Sequence, residues 1–393
     1  MKGKVSPQIR HNSVIIRTNV MLKIKWFYSY DWVIALYFIF SLLLAKNFGF
    51  SINYGVIFHL RYDLTMILMA VLSIAAIGLY TAVVRRLQGQ DATLFGKVWR
   101  HTMFTKYLTM QHLYDLLHVL IALKLVLLIY CNIKQAIPRI NPDLTDDILL
   151  QIDILLHFGS NPMQALVTLL NNPTMSTLID RLYVFWYVLK APVLVLFIIL
   201  PNRKLSERFF GAYFSLWMIG GLAAILAPSL GPVYVYREWF DGVTKPIATQ
   251  LQSQLITHYL QAIASPDQYR ALIYEGVAAF PSLHVGVVVL FALFLSKVRR
   301  FLCILMWIYA VIVQIGSVVL GWHYAIDGYF AAMLAFILYR AFTNDLAHRY
   351  PVASQKGRTA CDAEPPKDRV EREDFIVRQK QAHSDKIRNY HAE

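Results

Sequence analysis

The chain has 393 residues, of which 57% are hydrophobic and only 16% charged, against about a quarter charged in an ordinary soluble domain. That composition excludes a soluble globular protein and makes a bilayer the solvent for much of the chain. A net charge of +14 could suggest a nucleic-acid partner, but the Lys and Arg residues collect between apolar runs, where they report membrane orientation, so no nucleic acid is expected.

In chain order, a basic arm (Lys2, Lys4, Arg10, Arg17, Lys23, Lys25) precedes apolar runs near 31–49, 63–84, 114–133, 182–200, 209–229, 283–297, 301–320 and 323–342. Most approach the roughly 17 to 25 residues that cross a hydrocarbon core; the sixth is the shortest and the third carries Lys124. The expected fold is all-α, a polytopic transmembrane helix bundle of about eight spans. The first run, lying behind the basic arm, is expected to direct insertion itself. Basic clusters follow the second run (Arg85, Arg86, Lys97, Arg100, Lys106), the fourth (Arg203, Lys204, Arg208) and the sixth (Lys297, Arg299, Arg300). They predict cytoplasmic turns and both termini cytoplasmic.

The alternate loops, around 134–181 and 230–281, hold Asp143, Asp146, Asp147, Asp153, Asp180, Asp241, Asp267 and Glu275 and belong outside. Within the first, "DILLHFGSNPMQALVTLLNNPTM" alternates apolar stretches with Gly, Asn and Pro breakers. It is too short to span and too apolar for free loop, and predicts short amphipathic helices along the outer interface. From about 343 the chain mixes both charge signs with little apolar content, as in a solvated cytoplasmic extension with a short helix across 364–389. Three parts follow: residues 1–133 as arm and accessory spans, 134–342 as the catalytic membrane domain, and 343–393 as the tail.

Some clusters invite over-reading. Cys131, Cys303 and Cys361 lie far apart and predict neither a disulfide framework nor a zinc site. "HLYDLLH", with His112, Asp115 and His118, could be drawn as a metal cluster, but an interfacial histidine pair fits its position better. Lys190 lies mid-span beside Pro192, where a charge costs roughly 2.5–3.5 kcal/mol on insertion scales. It is expected to face a cavity or a partner rather than lipid.

Two stretches carry chemistry. "AAFPSLHVG" (278–286) opens the sixth span at the outer face, with Pro281 expected at the first helical position. Free N–H groups at such a terminus attract anions; Ser282 adds a hydroxyl donor, and His284 a proton exchangeable near neutral pH. "GSVVLGWHYAIDGY" (316–329) ends the seventh span, opens the eighth and returns to the same face. His323 and Asp327 are four apart, so the carboxylate can fix the imidazole tautomer and leave a lone pair on the other nitrogen. Two histidines converging this way suit phosphoryl transfer through a phosphohistidine, without metal or cofactor.

"FPSLHVG", "GWHYAIDGY", "APSLGPVYVY" (227–236) and "LIDRLYVFWY" (178–187) together resemble the type 2 phosphatidic acid phosphatase superfamily. Within it the closer likeness is to the branch that includes inositol phosphorylceramide synthase, an inositolphosphotransferase. The resemblance threads from about 150 to 342. It implies His323 as nucleophile, Asp327 as its orienting partner, His284 as the acid that protonates the leaving oxygen, and Ser282 as a phosphate ligand.

The chain departs from the superfamily's phosphatase pattern. Where Ser-Arg-x5-His-x3-Asp places Ser and Arg it has Gly316 and Ser317, and it has no Arg-Pro pair for the Lys-x6-Arg-Pro motif. A monoester dianion wants such guanidinium clamps, so their absence favours a diester or lipid-linked donor, and hence a transferase. Arg237 is the foremost replacement cation, with an interfacial role among the belt aromatics Tyr234, Tyr236 and Trp239 as the equal alternative. Asp180 and Arg181 could line the site or pair with each other. The substrate side of the candidate site is thus Ser282, Arg237, Tyr236 and Pro281.

The expected function is transfer of a phosphate-bearing head group from a membrane phospholipid donor to a lipid or alcohol acceptor at the extracytoplasmic face. The alternative sends the group to water, as a lipid phosphate or pyrophosphate phosphatase, and a non-enzymatic transporter ranks last. Outer loops without glycosylation signals favour a bacterial inner membrane with the site facing the periplasm.

Overall fold

The computed structural model describes residues 26–55, 109–170, 172–200, 202–264 and 276–344, with isolated positions between 64 and 75. The N-terminal arm, most of the expected second span over 63–84 and the tail with its helix over 364–389 lie outside the described residues.

Among the described residues all regular structure is helical. The helices are α1 (Ser29–Phe48), α2 (Met110–Ile140), α3 (Asp146–Leu156), α4 (Pro162–Leu170), α5 (Pro173–Val184), α6 (Trp186–Ile199), α7 (Arg203–Leu226), α8 (Pro232–Val235), α9 (Pro246–Ala264), α10 (Leu283–Leu295), α11 (Arg300–Val319) and α12 (Ala325–Thr343). Six stretches are long and apolar enough to cross a membrane: α1, α2, α5 continued through Phe185 into α6, α7, α11 and α12. Each coincides with a run expected from the sequence. Their outward faces carry exposed Leu36 and Leu43 on α1, Ile304 and Ile308 on α11, and Met333 and Ile337 on α12. Such surfaces are stable only against lipid tails.

The sixth expected span, α10, has 13 residues, a rise of about 20 Å against a hydrocarbon core of about 30 Å. Its apolar content has a different cause. Every residue of α10 except His284 is buried, packed against α7, α11 and α12. It is the central helix of the bundle and meets protein on all sides, so it has no amphipathic face for its sequence to display.

The stretch over 153–175 forms short helices, broken at Gly159 and before Pro162 and Pro173. The 230–281 loop contains a helix the sequence reading did not anticipate, the 19-residue α9.

Three carboxylates of this outer layer bind backbone. Asp146 accepts from Leu230 N (3.0 Å), Gly231 N (2.9 Å) and the Tyr324 hydroxyl (2.9 Å). Asp153 accepts from Ala325 N and Ile326 N, both at 2.7 Å, and so caps α12. Asp180 accepts from Ile247 N (2.8 Å) and Ala248 N (3.1 Å) and caps α9; neither role foreseen for it holds its carboxylate. Each cap neutralises the free N–H groups that open a helix. Asp153→Ala should therefore destabilise the fold by about 1–3 kcal/mol, the cost of leaving buried donors unpaired. Thermal melting in detergent tests this, with the exposed Asp143→Ala expected to melt like the parent.

At the other end of the bundle the "HLYDLLH" residues tie helices together. Asp115 receives Arg203 through Nε (2.9 Å) and Nη2 (3.1 Å), and Gln111 Nε2 (2.7 Å). His118 meets Asp31 (3.2 Å) and the Tyr30 hydroxyl (3.2 Å), while His112 meets the Thr109 hydroxyl (2.8 Å). These contacts join α1, α2 and α7 and leave the three side chains pointing at different partners.

Candidate active site

α11 ends and α12 begins around a tight turn that its local chemistry dictates. Trp322 N (2.9 Å) and His323 N (3.1 Å) both donate to the Ser317 carbonyl. Gly321 sits at φ +77°, where a Cβ would come within 2.7 Å of Val233. Gly231, at φ +102°, faces it with only 2.6 Å between a Cβ position and the Trp322 carbonyl oxygen. Only glycine combines those dihedrals with so close an approach. Lys245 Nζ (3.1 Å) and Gln252 Nε2 (2.9 Å) fasten the same turn through the Leu320 carbonyl. Burial pushes the Lys245 ammonium down to about 8, with Asp180 opposing the shift.

The turn delivers His323 just ahead of α12 rather than within it. Its Nδ1 lies 3.3 Å from Asp327 Oδ2, and the same carboxylate oxygen accepts from Tyr324 N at 3.0 Å. Asp327 is fully buried and His323 only 6% exposed. With Nδ1–H turned to the carboxylate, the His323 lone pair resides on Nε2.

α10 supplies the opposing group. Ser282 N donates to the Asp327 carbonyl (3.1 Å), which pins the start of α10 to that of α12. His284 follows within the first turn, its ring 5.8 Å from that of His323, centroid to centroid, and inclined at 60°. Hydrogen-bond reach of about 2.6–3.2 Å on each side lets one phosphate group touch both rings. Trp186 and Tyr183 wall the His284 ring at 4.5 and 5.4 Å. The His284 Nδ1 and the Ser282 hydroxyl are buried without a hydrogen-bond partner.

Both histidines line a cavity of about 410 Å³. Pro281 also lines it, behind a cis Phe280–Pro281 peptide. α10 begins at Leu283, so Pro281 precedes the helix instead of occupying its first position. Ser282 lies between two lining residues, Pro281 and Leu283, without itself forming the wall. Arg237 and Tyr236 do not line it either: Arg237 is exposed, and Tyr236 bonds Asp147 and stacks on Trp239 at 4.4 Å. The cavity wall includes Lys190, as expected of a mid-span charge, and Lys134, which the sequence reading did not single out. Lys134 follows Leu127, Tyr130 and Cys131 at helical spacing along one face of α2, a stripe visible in the sequence only once its partner is known.

The two positions that depart from the Ser-Arg pair are closed by packing. A Cβ at Gly316 would stand 3.3 Å from Tyr183. Ser317 is fully buried, with its hydroxyl on the Gln314 carbonyl at 2.7 Å.

Residues 147–341 match the PAP2 superfamily. The PAP2 match runs from α3 into α12 and so contains His284, His323, Asp327 and Lys190. It leaves out α1 and α2, and with them Lys134. No curated protein and no solved structure matches the chain.

Proposed function

We propose that the protein is an integral membrane PAP2-superfamily enzyme that moves a phosphate-bearing group from a lipid donor to an alcohol acceptor, with His323 as the transient carrier. The match to that superfamily supports chemistry of the lipid phosphatase and phosphotransferase type. The observation that carries the reading is the pair of imidazole rings 5.8 Å apart with Asp327 behind one of them.

In the first step the His323 Nε2 lone pair attacks phosphorus, the bond from phosphorus to the lipid oxygen breaks, and the His284 proton goes to that oxygen. In the second, the acceptor hydroxyl attacks phosphorus, its proton returns to His284, and the P–N bond breaks. Asp327 holds the positive charge that builds on His323. No step requires a metal, and activity is expected to persist in chelator.

Aromatic walls around His284 favour an acceptor other than water, because apolar groups beside a reactive intermediate keep water from it. Topology supports an extracytoplasmic site. α10 begins at the histidine pair and ends just before Lys297, Arg299 and Arg300, and α7 begins at Arg203 and Lys204 and ends near Pro228, beside the site. With outer loops free of glycosylation signals, the reading places the site on the periplasmic side of a bacterial inner membrane.

The test supplies purified protein in bilayer discs with phospholipids labelled in the head-group phosphate, alone and with diacylglycerol, ceramide or polyprenol. Mass spectrometry should find the label in a new lipid. Label released only to water would make the protein a phosphatase of the same superfamily, and no consumption of any donor would remove the enzymatic reading.

A further inference from the structure

The cavity holding the histidine pair carries cationic side chains beyond those the superfamily motifs would supply. Lys134 lines it from α2 and Lys190 from α6, so the two side chains come from helices separate from those that position His284 and His323. Lys190 Nζ lies 4.8 Å from the centroid of the Trp186 ring, the same ring that packs 4.5 Å from His284. The Lys134 stem runs beside Gly276, with Cγ 3.4 Å from where a Cβ would stand, at the head of the segment leading to His284. Among the described residues the wall carries these lysines, His258, His284 and His323, and no carboxylate. His284, part of that wall, has its Nδ1 buried without a hydrogen-bond partner.

We propose that Lys134 and Lys190 form the phosphate cradle of this site, in place of the guanidinium clamps that the superfamily's motifs would supply. This rests on the reading of the histidine pair as a phosphoryl-transfer centre, and it extends the site to a helix outside the superfamily match. It also changes the argument from charge. Two ammonium groups balance the two negative charges of a phosphate monoester, so absent arginines do not restrict the site to diesters. The cradle should prefer a dianionic phosphate to a monoanionic diester, since each added charge gains from both cations in a cavity of low dielectric.

The probes are inorganic phosphate and dimethyl phosphate at pH 7, with binding read from tryptophan fluorescence, Trp186 and Trp322 being in the wall. The protein should bind phosphate more tightly than dimethyl phosphate. Lys134→Met and Lys190→Met should each weaken phosphate binding about ten- to hundredfold, the worth of one charge-assisted hydrogen bond, and erase the preference. Lys134→Arg and Lys190→Arg should retain it. Independently of any substitution, phosphate should protect Lys134 and Lys190 of the unaltered protein from an amine-reactive reagent while Lys204 and Lys297 react as before.

Phosphate affinity unchanged in both Met variants, or no protection of either lysine, would overturn the cradle. Because these readouts need no turnover, they stand or fall apart from the enzymatic reading, which depends on consumption of a lipid donor.

Discussion

His323→Ala should lower lipid turnover by at least about 10⁴-fold, the scale on which an enzyme loses a nucleophile whose partners cannot substitute for it. His284 is the nearest imidazole, but it has no carboxylate to fix its tautomer, and its Nδ1 is buried without a partner. Removing His323 also strips Asp327 of one of its contacts, so the loss of activity must be compared with melting. His323→Gln keeps a polar group beside the carboxylate and should fold like the parent while remaining inactive. Turnover within tenfold of the parent in a folded variant would remove His323 from the chemistry.

The second large effect belongs to His284, and its signature is a dependence on the leaving group. A general acid contributes about 10²–10⁴ in rate, so His284→Ala should slow cleavage of a lipid phosphate, whose alkoxide leaves poorly without a proton, by that factor. A nitrophenyl phosphate needs no such proton. With that substrate the first step in His284→Ala should stay within about tenfold of the parent. The second step, in which His284 takes the acceptor's proton, should remain slow, so phosphorylated protein should accumulate. Equal losses on both substrates, with no accumulation, would show that His284 only shapes the cavity.

What the sequence revealed and what it concealed divide along physical lines. The two candidate histidines were legible because each sits at a helix end, and the order of apolar runs assigns those ends to one face. His284 opens α10 and His323 precedes α12, and no further geometry was needed to expect their meeting. The cations were not legible. Lys190 read as an anomaly in an apolar span and Lys134 as an unremarkable residue near the end of another, since only the packing of α2 and α6 around α10 gives them a common cavity. Arg237, placed by sequence on the right loop, sits exposed away from that cavity. A loop assignment fixes a residue to within many ångströms of the site, and a side chain must do better than that.

The acidic residues teach a related lesson. Asp146, Asp153 and Asp180 served in the sequence as markers of the outer face, which their charge alone justifies. Their structural work is to accept backbone N–H groups from residues 67 to 173 positions away. Nothing local encodes a partner at that separation. The same limit explains α10: a run of helix-forming length that is apolar after His284 reads as a span, whether lipid or protein surrounds it.

Whether His323 carries the transferred group can be read by chemical mapping of the intermediate. His284→Ala protein would be mixed with nitrophenyl phosphate, denatured at alkaline pH, where phosphohistidine survives, and digested for mass spectrometry. One phosphate is expected on the peptide containing His323, and none in the His284→Ala protein that also carries His323→Gln. Phosphate on any other residue, or retained when His323 is replaced, would contradict it.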